Sequence, residues 1–393
     1  MRPLEGLLVL DFSSLLPGPL ASLMLAEAGA EVIKIERPGQ GDEMRAYEPK
    51  VDCDSVNFHL LNRGKRSFAI DLKHPDALAR LRPLIERADI VIEQFRPGVM
   101  SRFGLGADAV RAMNPRIIYC SITGWGQSGA KSGVAGHDLN YMAETGLLGL
   151  TGGVDGAPVL PPILAADIAG GTFPAVVNIL LALRQRDSTG EGATLDIAMG
   201  DALLTFAYWG LGNGLVADLW PARGGELVTG GSPRYNIYRT LDDRFIAAAP
   251  LEDRFWTVFC EIIELEPEWR SAEADPLSAI RAVAARIATH TAKQWASDFA
   301  GRDVCCSIVA DLREALADPH FRERGLVDPA ATARTDLPSL PIPIVPAFRA
   351  PPGTSIAAPA LGEYNVTDLE QANYGVDAGS KKRITDIYKT NGG

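Results

Sequence analysis

Cysteine is scarce in this chain. The five residues Cys53, Cys120, Cys260, Cys305 and Cys306 are odd in number, scattered and without a Cys-x-x-Cys pair. That argues against a disulfide framework or structural zinc and fits a reducing compartment, so a cytoplasmic location is expected. Histidine is equally scarce, and His59, His74, His290 and His320 have no histidine partner at i, i+4, so no metal centre is expected. Basic excess is missing as well: 38 Lys and Arg stand against 49 Asp and Glu, a net charge of −11. This excludes the broad basic face of a nucleic-acid or anionic-membrane binder and points to a small-molecule partner. The longest apolar stretch, residues 163–183, is interrupted by Asp167, Gly170, Gly171 and Asn178, so no membrane span is expected. Nothing around Arg2, Glu5 and Asp11 resembles a signal peptide. A Ser/His/Asp order and a phosphate loop ending in Gly-Lys-Ser/Thr are both absent.

What is present is the composition of a soluble globular protein, 47% hydrophobic and 22% charged over 393 residues, long enough for two or three domains. Residues 7–12 read as a strand, 20–28 as a helix opened by Pro19 and closed by Gly29, and 31–36 as a strand. The rhythm continues with strands at 67–71, 89–93 and 116–122, helices at 76–87 and 107–113, a helix at 173–185 and a strand at 194–198. Alternation of this kind predicts an α/β fold with a doubly wound parallel sheet. The expected division is a large domain over 1–220, a smaller α+β domain over 221–330, and a C-terminal segment, 331–393, returning to the large domain.

Several motifs carry chemistry. Gly124-Trp125-Gly126-Gln127-Ser128-Gly129 follows a strand with dinucleotide-loop spacing, but Lys131, Ser132 and Gly133 stand where the receiving helix should start, so it reads as a glycine loop serving another site. Arg37, the run Asn62-Arg63-Gly64-Lys65, then Gln94-Phe95-Arg96, and Arg102 cluster near predicted strand ends, where open α/β sheets place their ligand crevice; spacing alone favours a solvated rim with ordinary surface pairs. His137, in Gly136-His137-Asp138-Leu139-Asn140-Tyr141, sits beside the glycine loop. Asp167 is a carboxylate in an apolar run before a helix, where desolvation raises its pKa and a helix N-terminus lowers it; its plainer reading is a helix cap. Glu252, after a strand at 245–249, reads as a helix-initiating acid.

In these residues the chain resembles the family III coenzyme A transferase superfamily, and within it is most similar to the α-methylacyl-CoA racemases. The matches run in order through Pro17-Gly18-Pro19, Ile35-Glu36-Arg37-Pro38, Asn62-Arg63-Gly64-Lys65, Phe95-Arg96-Pro97-Gly98, Thr123-Gly124-Trp125-Gly126-Gln127, the His137 and Asp167 motifs, and Asp318-Pro319-His320. The resemblance implies a Rossmann-like large domain with a smaller domain, in an intertwined homodimer acting on acyl-CoA, with no cofactor beyond the CoA moiety of the substrate. It implies CoA contacts at Arg37, Asn62, Arg63, Gly64, Lys65, Gln94, Phe95, Arg96 and Arg102, with Gly136, Asp138 and Tyr141 near the pantetheine and thioester. It further implies that His137 and Asp167 exchange the α-proton of a 2-methylacyl thioester, that amides of the Asp167 turn stabilise the enolate oxygen, and that Glu252 sets the histidine's protonation. The alternatives are a CoA transferase with Asp167 as nucleophile and a non-catalytic CoA-binding protein.

Overall fold

A computed structural model describes residues 2–153, 156–326, 341–350 and 357–365. In chain order the elements are β1 (Leu8–Phe12), α1 (Pro17–Glu27), β2 (Glu31–Glu36), the short pair β3 (Lys50–Val51) and β4 (Asp54–Ser55), α2 (Val56–Asn62), β5 (Arg66–Ala69), α3 (Ala77–Arg87), β6 (Ile90–Glu93), α4 (Val99–Arg102), α5 (Ala107–Met113), β7 (Ile118–Thr123), α6 (Asp138–Glu144) and α7 (Leu147–Leu150). A π-helix (Ala166–Thr172) then runs into α8 (Phe173–Thr189), followed by β8 (Ala193–Ala198), α9 (Met199–Leu203), α10 (Tyr208–Ala217), β9 (Asn236–Arg239), β10 (Phe245–Ala248), α11 (Asp253–Ile262), α12 (Pro276–Ile287), α13 (Ala292–Phe299) and β11 (Cys306–Ile308). The strands and helices expected from the alternating pattern all form, with ends shifted by a few residues. The largest shift is at the end of α8, which runs four residues past 185 to Thr189, and α1 starts three residues early, taking both Pro17 and Pro19 into its first turn, where a missing amide hydrogen costs no helical bond.

The described residues divide into two compact units, 2–141, 164–203, 341–350 and 357–365 in one and 142–153, 156–163 and 204–326 in the other. Residues 142–163 and 204–220 thus group with the second unit, not with the 1–220 block expected from sequence. The cause is local: the Gly224 amide donates to Leu150 O, and Arg223 reaches Gly149 O and Gly156 O, tying the loop after residue 220 to the segment around α7. Of residues 331–393, those at 341–350 and 357–365 are described and belong to the first unit. There Gly362 N donates to Ser67 Oγ and Tyr364 N to Ser67 O.

The first unit is built on a six-stranded sheet in the order β5-β2-β1-β6-β7-β8, every pair parallel. Strands β1, β6 and β7 are buried throughout, as a parallel sheet covered on both faces requires. Leu8, Leu10, Phe12, Ile33, Phe68 and Val91 pack with Leu81, Leu84 and Ile85 of α3 and Val110 of α5. Helix α1 contacts β1, β2 and β6, and α8 contacts β7 and β8. Chain order runs outward to β2 and β5 on one side of β1 and to β6, β7 and β8 on the other, so the winding reverses between β1 and β6. Ligands of open α/β sheets bind outside the strand ends at such a reversal.

The second unit has a three-stranded antiparallel sheet, β11-β10-β9. Its alternation is clean: Tyr238, Ile246 and Ala248 are buried against Trp256, Phe259, Val283 and Trp295, while Ile237 and Phe245 are exposed.

Candidate active site

At the reversal between β1 and β6 the first unit holds a crevice of about 560 Å³, walled by the residues that leave four strands at their carboxyl ends: Ser13 and Ser14 after β1, Arg37 after β2, Ile70 to Lys73 after β5, and Gln94 and Phe95 after β6. Gln94 Oε1 accepts the Gly18 amide at 3.0 Å, which ties β6 to the start of α1. Arg37 is exposed, with one contact to Gln40 at 2.8 Å, so its guanidinium is free to meet an anion. Arg96 is exposed and borders an adjoining cavity of about 370 Å³ that also holds Glu93, whose carboxyl is pushed up by burial. Arg102 is exposed at the end of α4, and its neighbour Phe103 lines the crevice.

The run Asn62-Arg63-Gly64-Lys65 is placed elsewhere, outside the lining of this crevice. It precedes β5, at the amino end of the sheet, whereas the crevice is at the carboxyl ends. Lys65 is buried, its Nζ enclosed by Asn62 Oδ1 at 2.8 Å, Pro19 O at 2.9 Å and Asp11 Oδ2 at 3.2 Å; burial brings its pKa down to about 8. Asn62 is fully buried and donates to Phe58 O, Arg63 pairs with Glu27 at 2.7 Å, and the Gly64 amide donates to Ala357 O. These polar groups hold the fold. The crevice residues that sequence reasoning missed, Ile70 to Lys73, carry the signal that mattered: they follow a strand instead of preceding it.

Beneath the crevice lies a buried ionic floor. Asp11 and Lys34 are register partners on β1 and β2, and Lys34 pairs with Ser67 on β5, so alternation turns all three to one face. Lys34 Nζ binds Asp42 at 2.8 Å and donates to Ser13 O at 2.8 Å. Asp42 Oδ1 accepts the Leu15 amide at 3.1 Å, and Leu15 has φ +63°, a conformation the loop holds only because its neighbours impose it. Glu36 takes a two-pronged contact from Arg45, at 2.8 and 2.9 Å, and the Ser67 hydroxyl at 2.5 Å. These ion pairs pin the Ser13–Leu16 loop that walls the crevice.

A second cluster of the first unit gathers Gly136, His137, Asp138, Tyr141 and Asp167. Between β7 and α6 the glycine loop forms no helix, as the absence of a receiving helix in the sequence predicts. It ends at His137, whose carbonyl accepts the Asn140 and Tyr141 amides and whose own amide is held by Asn140 Oδ1 at 3.0 Å. This turn leaves His137 exposed and Asp138 buried. The buried ring of Tyr141 packs edge-on against Trp125 at 5.2 Å, and its hydroxyl donates to Gly136 O at 2.6 Å. A side chain at Gly136 would meet the Tyr141 ring at 2.8 Å, so glycine is required there.

Asp167 is the second residue of the π-helix, a geometry frequent at functional sites. The helix lies so close to α9 that a Cβ on Gly170 would stand 2.5 Å from Met199 O, and Thr172 Oγ1 donates to Pro17 O at 2.8 Å. Asp167 is not the cap of this helix. The cap is Asp138, whose Oδ1 accepts the Ala166 amide at 2.6 Å and the Asp167 amide at 3.0 Å. Asp138 Oδ1 is thus engaged with backbone, and the first two amides of the Asp167 turn are already bound. Asp167 itself is half-buried. Burial first, then the Asp138 charge, push its carboxyl up to about 6, against the opposing pull of His137.

Glu252 belongs to the second unit. It is the N-cap residue of α11 by backbone, its carbonyl accepting the Phe255 and Trp256 amides at 3.0 Å, with an exposed carboxylate that caps nothing. Arg234 braces this turn through Leu251 O at 3.0 Å and Asp253 at 2.6 Å.

Comparison with known proteins agrees with this architecture. A family model described as CoA-transferase family III matches residues 4–365. The chain is 33% identical to an α-methylacyl-CoA racemase of Homo sapiens over 94% of each chain. It is 32% identical to a succinate–glutarate CoA-transferase of Agrobacterium fabrum, over 94% of this chain and 95% of that one. Among solved structures, a CAIB/BAIF family protein from Brucella suis superposes with a TM-score of 0.78 at 26% identity, covering 95% of this chain and 99% of the other.

Proposed function

The chain belongs to CoA-transferase family III, and from that premise we propose that it interconverts (R)- and (S)-2-methylacyl-CoA thioesters by 1,1-proton transfer through an enolate. The observation that carries this reading is that His137, exposed at the end of the glycine loop, adjoins Asp138, whose carboxylate holds the turn that carries Asp167. The α-proton of a thioester is weakly acidic, so a base on one face and an acid on the other must flank the carbanion. For one hand of the substrate the base takes the α-proton, the C–H electron pair moves into the enolate, and the acid opposite returns a proton to the other face. For the other hand the roles exchange. A carboxyl with a pKa near 6 is present in both forms near neutrality, which suits such an exchange.

In this proposal the crevice takes the CoA moiety. Arg37, Arg96 and Arg102 face its phosphates, and Gln94, Phe95 and the 70–73 segment line its path. The chemistry asks for no group beyond the substrate's own CoA. We also propose a homodimer, supported by a row of exposed apolar residues on α8, namely Phe173, Val177, Leu180 and Leu181, which sedimentation would test. A cytoplasmic home is proposed with it, supported by five cysteines that are all free.

The test is incubation with (R)-2-methylacyl-CoA in deuterated water. The expected outcome is α-deuterium entry with loss of configuration, abolished in His137→Ala and slowed in Glu252→Gln; unchanged exchange in His137→Ala overturns the reading. The second reading, CoA transfer with Asp167 as nucleophile, draws on the transferase relative. It predicts CoA moving to an added carboxylic acid, an aspartyl-CoA thioester on Asp167 by mass spectrometry, and full activity in His137→Ala.

A further inference from the structure

We propose that Asp138 is the positioning residue of the site, clamping the turn that carries Asp167 through one carboxylate oxygen and setting its charge beside it. This rests on the reading of Asp167 as the group that carries the proton. The argument starts from the helix end. The first amides of any helix have no intrahelical acceptor, and their partial positive charge stabilises a nearby anion. An aspartate in the first turn ordinarily collects that stabilisation and becomes more acidic. Here the Ala166 and Asp167 amides both point to Asp138 Oδ1, at 2.6 and 3.0 Å, across 28 and 29 residues of sequence, and the Ile168 amide is bound to Leu164 O.

Asp167 therefore sits at a helix start without receiving its donors. Asp138 receives them, and being 5% exposed it also adds its charge to the field at Asp167. The turn 137–141 makes this possible, because Asn140 holds the His137 amide and Tyr141 holds the Gly136 carbonyl, fixing Asp138 inward. The charged and titratable groups facing Asp167 are Asp138 and His137, and Asp167 in turn acts on Tyr141, which also feels Arg96. From α1, α8, α9 and β8, the elements packed against the π-helix, no charge is resolved at Asp167.

The experiment separates the clamp from the charge. Asp138→Asn and Asp138→Ser both keep an oxygen that accepts helix amides but remove the charge. The full chain labelled with ¹³C at the aspartate carboxyl carbon is titrated by NMR, with the Asp167 signal assigned by its loss in Asp167→Asn. We expect the Asp167 midpoint to fall by about one pH unit in both neutral variants. The low-pH limb of α-deuterium exchange moves with it, and Asp138→Ala lowers kcat further than Asp138→Asn, because it loses the clamp as well. An Asp167 midpoint unmoved in whichever neutral variant folds overturns the proposal, whatever happens to activity. A midpoint that falls in a protein showing no α-exchange keeps Asp138 as the positioning residue and removes the racemase reading instead.

Discussion

Asp11 and Asp167 belong to the same unit and are both withdrawn from water, yet their surroundings treat them oppositely. Burial works against the charge of each. At Asp11 it is outweighed by the Lys34 and Lys65 ammonium groups and the Ser13 and Ser22 hydroxyls, which hold the carboxyl well below the usual range. At Asp167 the nearest amides are diverted to Asp138, the neighbouring charge is of the same sign, and the carboxyl rises to about 6. The lesson is that donors, more than depth, separate a carboxylate that holds a fold together from one poised to exchange a proton.

The contrast can be broken most sharply at the reacting end. Asp167→Asn should lower α-deuterium exchange by about 10²- to 10⁴-fold in a single-turnover assay, whereas the fold persists. At the structural end, Lys34→Met leaves Asp11 and Asp42 without their shared cation and should cost about 3–5 kcal/mol, read from urea unfolding; a loss below about 1 kcal/mol would erase the distinction. The pH dependence follows in sign. Asp11, Glu36 and Asp42 all have lowered values in the folded state, so the stability they confer is present above the ordinary carboxylate range and is lost as pH falls through it.

Asp167 runs the other way, with a folded value of about 6 above the ordinary 3.8, so its contribution declines as pH rises through that window. Asp167→Asn should therefore stabilise the protein by about 1–2 kcal/mol at pH 8, after allowance for partial exposure, and change nothing below pH about 3.5. A melting series across pH checks this. The smallest effect sharpens the same contrast among cations: Arg37→Ala at the crevice rim should raise KM for acyl-CoA about tenfold with kcat and melting midpoint held, as expected of a residue that grips ligand and not fold.

Much of the fold was legible because hydrophobic periodicity is a local property. Strands such as Leu8–Phe12 and Ile90–Glu93 read as short apolar runs, and their alternation with helices left little besides a parallel sheet. His137 and Asp167 were legible as motifs. That Asn62 to Lys65 lie outside the crevice lining and bind the protein's own groups was not legible, because cations adjacent to a strand look alike in sequence whether they precede or follow it. In space the two ends of a strand are different places, one in the crevice and one in the core.

Composition and pattern settled the class of fold, its strand alternation and the residue types able to do acid–base chemistry, since these depend on neighbours along the chain. Folding settled which carboxylate keeps its proton and which is locked in an ion pair. Asp138 meets Asp167 across 29 residues, and Lys65 meets Asp11 across 54. The charge state of a buried group is the sum of such meetings, set by distance in space and by competition for the same donors, and neither is written along the chain.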